Sequence, residues 1–189
     1  MNSQIITICI LAKNAEQTIQ ATLDSVRSFP EILIFDTGSI DSTIAIASKY
    51  PNVTIHKTPF RGFGPLRNAI AGYAKNDWIF ALDSDEVISP SLIEEINKIS
   101  LLPDFVYRMP RHNFYNGKRI RGCGWSPDRV ARLYHRNHNR FSEALVHESI
   151  QTNQQIHLKS PLLHTPYRSV SYTHLDVYKR QIYRPSSIF

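Results

Sequence analysis

Trp78-Ile79-Phe80-Ala81-Leu82-Asp83-Ser84-Asp85-Glu86 is an unbroken apolar run that ends in three carboxylates. A strand that is apolar at every position is buried on both faces, which is how strands of a helix-covered parallel sheet read. Packing gives no reason for such a strand to deliver three acids into its following loop. Their repulsion is relieved when a divalent cation sits among them. Hard cations such as Mg²⁺ take oxygen ligands, keep several waters and bridge to substrate phosphates. An Asp-x-Asp pair by itself more often marks a solvated acidic turn, so the surrounding pattern has to decide.

Outward from this strand, β-like and helical patterns alternate. Residues 4–12 form a β-rich run ending in Lys13-Asn14. Ile19, Leu23 and Val26 then recur at helical spacing, and Pro30 closes that helix. Residues 31–35 read as a second buried strand, followed by Asp36-Thr37-Gly38-Ser39 and a helix to about Lys49 that Ser39 or Asp41 can cap. A third strand is expected over residues 53–57. Pro65 suits the first position of a helix reaching Lys75. The fourth strand is expected over residues 77–82, and Ser89-Pro90 opens a helix to about Ser100. Alternation of this kind predicts a mostly parallel α/β sheet with helices on both faces. Ligands of such sheets bind beyond the carboxyl ends of the strands, where the loops at residues 12–14, 36–39 and 83–86 would converge.

The pattern changes after Pro103. Strands are expected over residues 105–109, 129–135 and 145–150, and Asn116-Gly117 signals a hairpin between residues 113–115 and 118–120. This second half reads as a smaller antiparallel extension, with no linker to suggest independent folding. Residues 1–103 and 104–170 are therefore expected to be two halves of one domain.

Composition narrows the partners. The 189 residues carry a formal net charge of +6, unevenly spread: eleven of the sixteen acids precede residue 101, whereas residues 108–140 hold nine Lys or Arg and one acid, Asp128. A basic stretch of this kind suits nucleic acid, an anionic membrane surface, a phosphorylated substrate, or simply water. Nucleic-acid binding leaves the acidic loops unexplained. No apolar run is long enough to span a bilayer and no signal-peptide pattern opens the chain, so a cytoplasmic location is expected. Cys9 and Cys123 show no metal-ligand spacing and are expected to be free thiols.

Neither a glycine-rich turn after the first strand nor a Walker loop is present; the first strand ends in Ala12-Lys13-Asn14. An acid after strand two and a carboxylate pair after strand four suit a nucleotide whose diphosphate is held through a cation. In a group transfer that cation would also stabilise the departing diphosphate. Residues 10–16, Asp36-Thr-Gly-Ser-Ile-Asp-Ser-Thr43, Gly62-Phe-Gly-Pro-Leu-Arg-Asn68 and residues 77–86 resemble the ordered motifs of inverting GT-A glycosyltransferases of the family 2 type. Residues 109–115, Gly124-Trp-Ser-Pro-Asp128, Arg132-Leu-Tyr134, Arg140-Phe-Ser142, Val146-His-Glu148 and residues 161–168 resemble lipopolysaccharide inner-core glucosyltransferases that act on heptose.

That resemblance implies roles for particular positions. Ala12, Asn14 and Asp36 would line the nucleoside pocket, Asp83 would approach ribose and donor sugar, and Asp85 would ligate Mg²⁺ or Mn²⁺ with the diphosphate. Arg67 would face the nucleotide or sugar, with a helix-surface charge as the alternative. An inverting single displacement needs a general base for the acceptor hydroxyl. Asp128, Glu143 and Glu148 are the candidates, Glu148 being favoured by its place in Val146-His-Glu148 and Asp128 being the better salt-bridge partner. His147 is a further metal ligand or a structural histidine. Arg108, Arg111, Lys118, Arg119 and Arg121 would meet anionic groups of a lipid-linked, heptose-containing acceptor at the inner membrane surface, and Trp125 would stack on a sugar or fill the core. The donor implied is a UDP-sugar, UDP-glucose first. A nucleotide-sugar-binding module without catalysis fits the same motifs. Residues 171–189 depart from the pattern and resemble translated cloning-adaptor sequence, so a non-native tail is expected there.

Overall fold

The computed structural model describes residues 1–122, 126–146, 148–150 and 152–167. Ten strands and four α-helices follow one another as β1 (Ile6–Ala12), α1 (Ile19–Val26), β2 (Glu31–Asp36), α2 (Thr43–Ala47), β3 (Val53–Lys57), α3 (Phe63–Gly72), β4 (Trp78–Asp83), β5 (Glu86–Ile88), α4 (Pro90–Lys98), β6 (Val106–Tyr115), β7 (Lys118–Arg119), β8 (Arg129–His135), β9 (Gln155–His157) and β10 (Leu162–Tyr167). The sheet order is β3-β2-β1-β4-β8-β6-β10-β5, with β7 and β9 pairing to β6. The first four strands are parallel, as the apolar runs predict, and β8 continues the sheet antiparallel to β4.

Strand alternation sends successive side chains to opposite faces, so each central strand feeds two cores. Ile6, Ile8, Ile10, Phe80 and Leu82 pack with Leu23 of α1, Ala47 of α2 and Leu92 and Ile96 of α4. Cys9, Leu11, Ile79 and Ala81 pack on the other side with Leu66 and Ile70 of α3 and with Tyr134 and Phe141. Helices therefore cover both faces. Asp83 has the parity of Ile79 and Ala81, which places it on the α3 side.

Local expectations are met unevenly. Ser89 caps α4, its hydroxyl accepting from the Leu92 amide at 3.2 Å with Pro90 in the first turn. Asn116 and Gly117 have φ of 47° and 72°, the left-handed turn that joins β6 to β7. Three expectations need correction. The helix expected to start at Pro65 starts at Phe63, where the Phe63 and Gly64 amides donate to the Leu145 and Ala144 carbonyls and Gly64 lies close to the backbone of residues 142–144. Strand β4 runs one residue further than expected and takes Asp83 into the ladder opposite Leu11. Among the described residues of the expected strand over 145–150, the one β-type pairing is an isolated bridge between Phe141 and Ile150, and the other contacts of the segment, such as the Phe63 amide on the Leu145 carbonyl, form no ladder. Strands β5, β9 and β10 are short or broken by polar residues and carry no clear period.

Strand β6 is the hinge of the second half. Residues 107–110 pair with β8 and residues 106–108 with β9, while residues 111–115 pair with β10 and β7. One strand thus carries the chain from the parallel sheet into the layer that returns β10 and β5 to the carboxyl edge.

Candidate active site

The carboxyl ends of β1, β2 and β4 lie side by side. Ala12 is in register with Asp36, and Leu11 with Asp83. Two loops are tied together above this edge: the Asn14 amide donates to Ser39 Oγ at 2.9 Å, and the Ile40 amide donates to Asn14 Oδ1 at 2.9 Å. Asn14 sits at φ 51°, a left-handed conformation that asparagine tolerates well. Asp36 is buried and accepts from the amides of Gly38 and Ser39 at 3.3 and 3.1 Å, an Asx-type turn that holds the loop open. Ala12, Asn14 and Asp36 therefore build one rim.

Asp83, Asp85 and Glu86 are separated by their surroundings. Arg67 Nη2 pairs with Asp83 Oδ1 at 2.5 Å, and Arg132 Nη2 pairs with Asp83 Oδ2. Glu86, fully buried, accepts from the Asp83 amide at 3.1 Å, from Arg132 at 2.6 Å and from Arg111 at 3.3 Å. Arginine side chains relieve the repulsion of these two acids, so the packing reason missing from the sequence pattern does exist. Burial alone would raise the Asp83 pKa, but Arg132 and then Arg67 outweigh it and hold the carboxyl well below the usual range. Asp85 stands apart, about a third exposed, with His164 Nε2 3.4 Å from its Oδ2.

Arg67 is buried, not a helix-surface charge. Its side chain is 3% exposed, its Nε donates to Glu148 Oε1 at 2.9 Å, and its guanidinium carbon lies 5.2 Å from the centroid of the Phe141 ring. Arg111 Nε donates to Asp128 at 2.7 Å, and Asn113 Nδ2 donates to the same oxygen at 3.1 Å. Asn113 Oδ1 lies 2.6 Å from His164 Nδ1. Ion pairs and hydrogen bonds thus run without a gap from Glu148 through Arg67, Asp83, Arg132, Glu86, Arg111, Asp128, Asn113 and His164 to Asp85. Glu143, the remaining base candidate, takes a hydrogen bond from Asn68 at 3.2 Å at the surface. Arg121 is exposed. Trp125, His147, Cys123 and the tail at 171–189 lie outside the described residues.

The residues sequence reasoning left out are Arg132, Glu86 as an arginine partner, and His164. Arg132 had a signal: it shares strand parity with Tyr134, so a charge was due on a covered face. His164 had none, because β10 has no readable period. Among the described residues, no group of three His, Cys, Asp or Glu side chains could hold a metal ion. Asp85 with His164 offers one oxygen and one nitrogen donor, which suits a divalent cation that completes its shell with water and substrate oxygens. Both oxygens of Asp83 are taken by guanidinium groups.

The glycosyl transferase family 2 profile matches residues 7–157. The chain belongs to glycosyl transferase family 2. It is 25% identical over 159 residues to an uncharacterized glycosyltransferase of Rickettsia typhi, covering 80% of this chain and 54% of that one. It is 26% identical over 153 residues to the lipopolysaccharide core biosynthesis glycosyltransferase LpsC of Rhizobium meliloti, covering 75% and 55%. Residues 1–349 of S. aureus TarS in complex with UDP-GlcNAc superpose with a TM-score of 0.59 at 18% identity, over 87% of this chain and 59% of that chain. The fold is therefore the GT-A type that the motifs resemble. The family 2 chain described here spans about half the length of the curated relatives it matches. Among the described residues, no helix is long and apolar enough to cross a membrane.

Proposed function

We propose that this family 2 chain moves a sugar, glucose first, from a UDP-sugar to a heptose of a lipid-linked lipopolysaccharide inner core, with inversion. The observation that carries this reading is the Arg67 bridge, which holds Glu148 at 2.9 Å on one side and the strand-end carboxylate Asp83 at 2.5 Å on the other. A base candidate is thereby fixed next to the edge where a donor would lie. Both acids pair with an arginine, Glu148 with Arg67 and Asp128 with Arg111, but only Glu148 shares its arginine with the strand-end carboxylate Asp83, and that position favours it as the base.

In this reading Ala12, Asn14 and Asp36 line the nucleoside, and Asp83 with its two arginines orients ribose and sugar. Asp85 and His164 would hold Mg²⁺ or Mn²⁺, which neutralises the diphosphate as it leaves. Glu148 takes the proton of the acceptor hydroxyl as that oxygen attacks the anomeric carbon from the side opposite the diphosphate. Arg111 and Arg121 belong to the acceptor side. Phe60, Phe63, Leu145 and Val146 are exposed, and the Phe63 amide donates to the Leu145 carbonyl at 3.0 Å, which gathers an apolar patch beside Glu148 for peripheral contact with the inner membrane surface. A UDP-sugar complex of the fold relative TarS and the name of LpsC support donor and acceptor class.

The test is a donor screen on the full-length protein with a heptose-containing lipid acceptor. UDP-glucose should be consumed and the product linkage should be inverted by NMR. Glu148→Gln should lower transfer by about 10²–10⁴-fold while UDP still binds. Transfer by that variant at the native rate would remove Glu148 from the reaction.

A further inference from the structure

A cavity of about 390 Å³ opens beside β8, lined by Arg108, Arg129, Arg132, Phe141, Glu148 and Gln155 among others. Its size is that of a small-ligand pocket, which usually encloses roughly 300–1,000 Å³. Four charged side chains line it, and two are already neutralised: Arg132 by Asp83 and Glu86, and Glu148 by Arg67. Arg108 and Arg129 are not. Arg108 donates to the Gln155 side chain at 3.3 Å and to the Arg129 carbonyl at 2.8 Å, and Arg129 donates to the Leu158 carbonyl at 3.1 Å. These partners are neutral, and no carboxylate among the described residues lies within salt-bridge distance of either guanidinium.

Two further observations point the same way. The Nε atoms of Arg108 and Arg132 are buried and have no hydrogen-bond partner among the described residues. The Arg132 side chain is only 7% exposed. Buried N–H donors on charged groups are costly to leave unmade, and guanidinium forks match oxyanions in bidentate geometry. The wall is therefore short of negative charge and of acceptors at once, while Glu148 stands on it.

Resting on the glycosyl-transfer reading, we infer that this cavity is an acceptor subsite for an oxyanion, a phosphate or carboxylate carried by the sugar that receives the transferred residue. Arg108 and Arg129 bind the anion and Arg132 adds its free N–H. The neutral ring then lies against Phe141, with its hydroxyl within reach of Glu148. The site selects acidic over neutral acceptors and aligns the hydroxyl at the same time.

The experiment titrates glucose, glucose 6-phosphate and glucuronate into the full-length protein saturated with UDP, by calorimetry. At least one charged sugar should bind about tenfold or more tighter than glucose, with affinity falling as salt rises. Preference for the phosphate over the carboxylate, or the reverse, identifies the oxyanion. Arg129→Gln, at an exposed position, and the Arg108→Gln/Arg129→Gln pair should erase that preference with the melting temperature unchanged. Equal binding of all three sugars, or a preference that survives in a folded double variant, overturns the subsite alone. Failure of UDP to bind the unaltered protein overturns the transfer reading, and the subsite falls with it.

Discussion

Arg67 joins Glu148 to Asp83: one guanidinium donates to Glu148 Oε1 at 2.9 Å and to Asp83 Oδ1 at 2.5 Å, from a side chain only 3% exposed. Removing one member of a buried ion-pair network leaves its partners desolvated and unpaired. Arg67→Ala should therefore cost about 3 kcal/mol of stability, visible as a lower urea midpoint with unchanged slope. Arg67→Lys can satisfy one carboxylate but not both in the same geometry, and should recover part of the stability and little of the transfer rate.

Asp85 should behave differently. Its carboxylate is about a third exposed and pairs with His164, so Asp85→Asn should change stability by less than about 1 kcal/mol. The same substitution should abolish the Mn²⁺-dependent part of UDP affinity, measured by calorimetry with and without EDTA. Undiminished Mn²⁺ dependence would place the cation elsewhere.

Gly64 tests the contact between α3 and the segment that carries Glu148. A Cβ built there would lie 1.9 Å from the Ser142 carbonyl oxygen and 3.0 Å from that of Ala144. Both neighbours are backbone, so neither can swing aside. Gly64→Ala should lower stability by about 1–3 kcal/mol and open residues 141–150 to limited proteolysis. Transfer should fall with it, because Glu148 leaves its place beside Arg67.

The Asp83 carboxyl sets an acid limit. Its folded-state pKa is depressed by Arg132 and Arg67 against the opposing effect of burial, so it contributes stability above its unfolded value and loses that contribution as pH falls. The unfolded value is about 3.9, which places the loss below about pH 4. Denaturation midpoints across pH 2–7 should stay level down to that point and then drop. Asp83→Asn, less stable at neutral pH, should show a shallower acid drop.

The first hundred residues were readable because their two signals agree. Continuous apolar runs at residues 8–12, 32–35 and 78–82 place buried parallel strands, and the polar residues that end each run mark one sheet edge. Ser89-Pro90 and Asn116-Gly117 specify their local geometry without help from the rest of the chain. Beyond residue 120 the strands are half covered and their pairing is set by partners far away in sequence, so the described residues within 145–150 mimic a strand and residues 162–167 hide one. The acidic cluster at the strand end was legible, but its counter-ions were not: Arg67 and Arg132 lie 16 and 49 positions from Asp83, and only the fold brings them together. The distance between a carboxylate and its neutralising arginine leaves no local trace.

The way β8 closes onto β4 has a consequence for anyone wishing to dissect the molecule. Trp78, Ile79 and Phe80 meet His135, Tyr134 and Leu133 along that seam, and β6 then grips β8 from its far side. A piece ending near residue 103 would keep Ala12, Asn14 and Asp36 yet strip a central strand bare, turning its amides and carbonyls into a template for adhesion between copies. The carboxyl edge that carries Asp36 and Asp83 thus depends on residues 106–135 to keep its flank from meeting another copy.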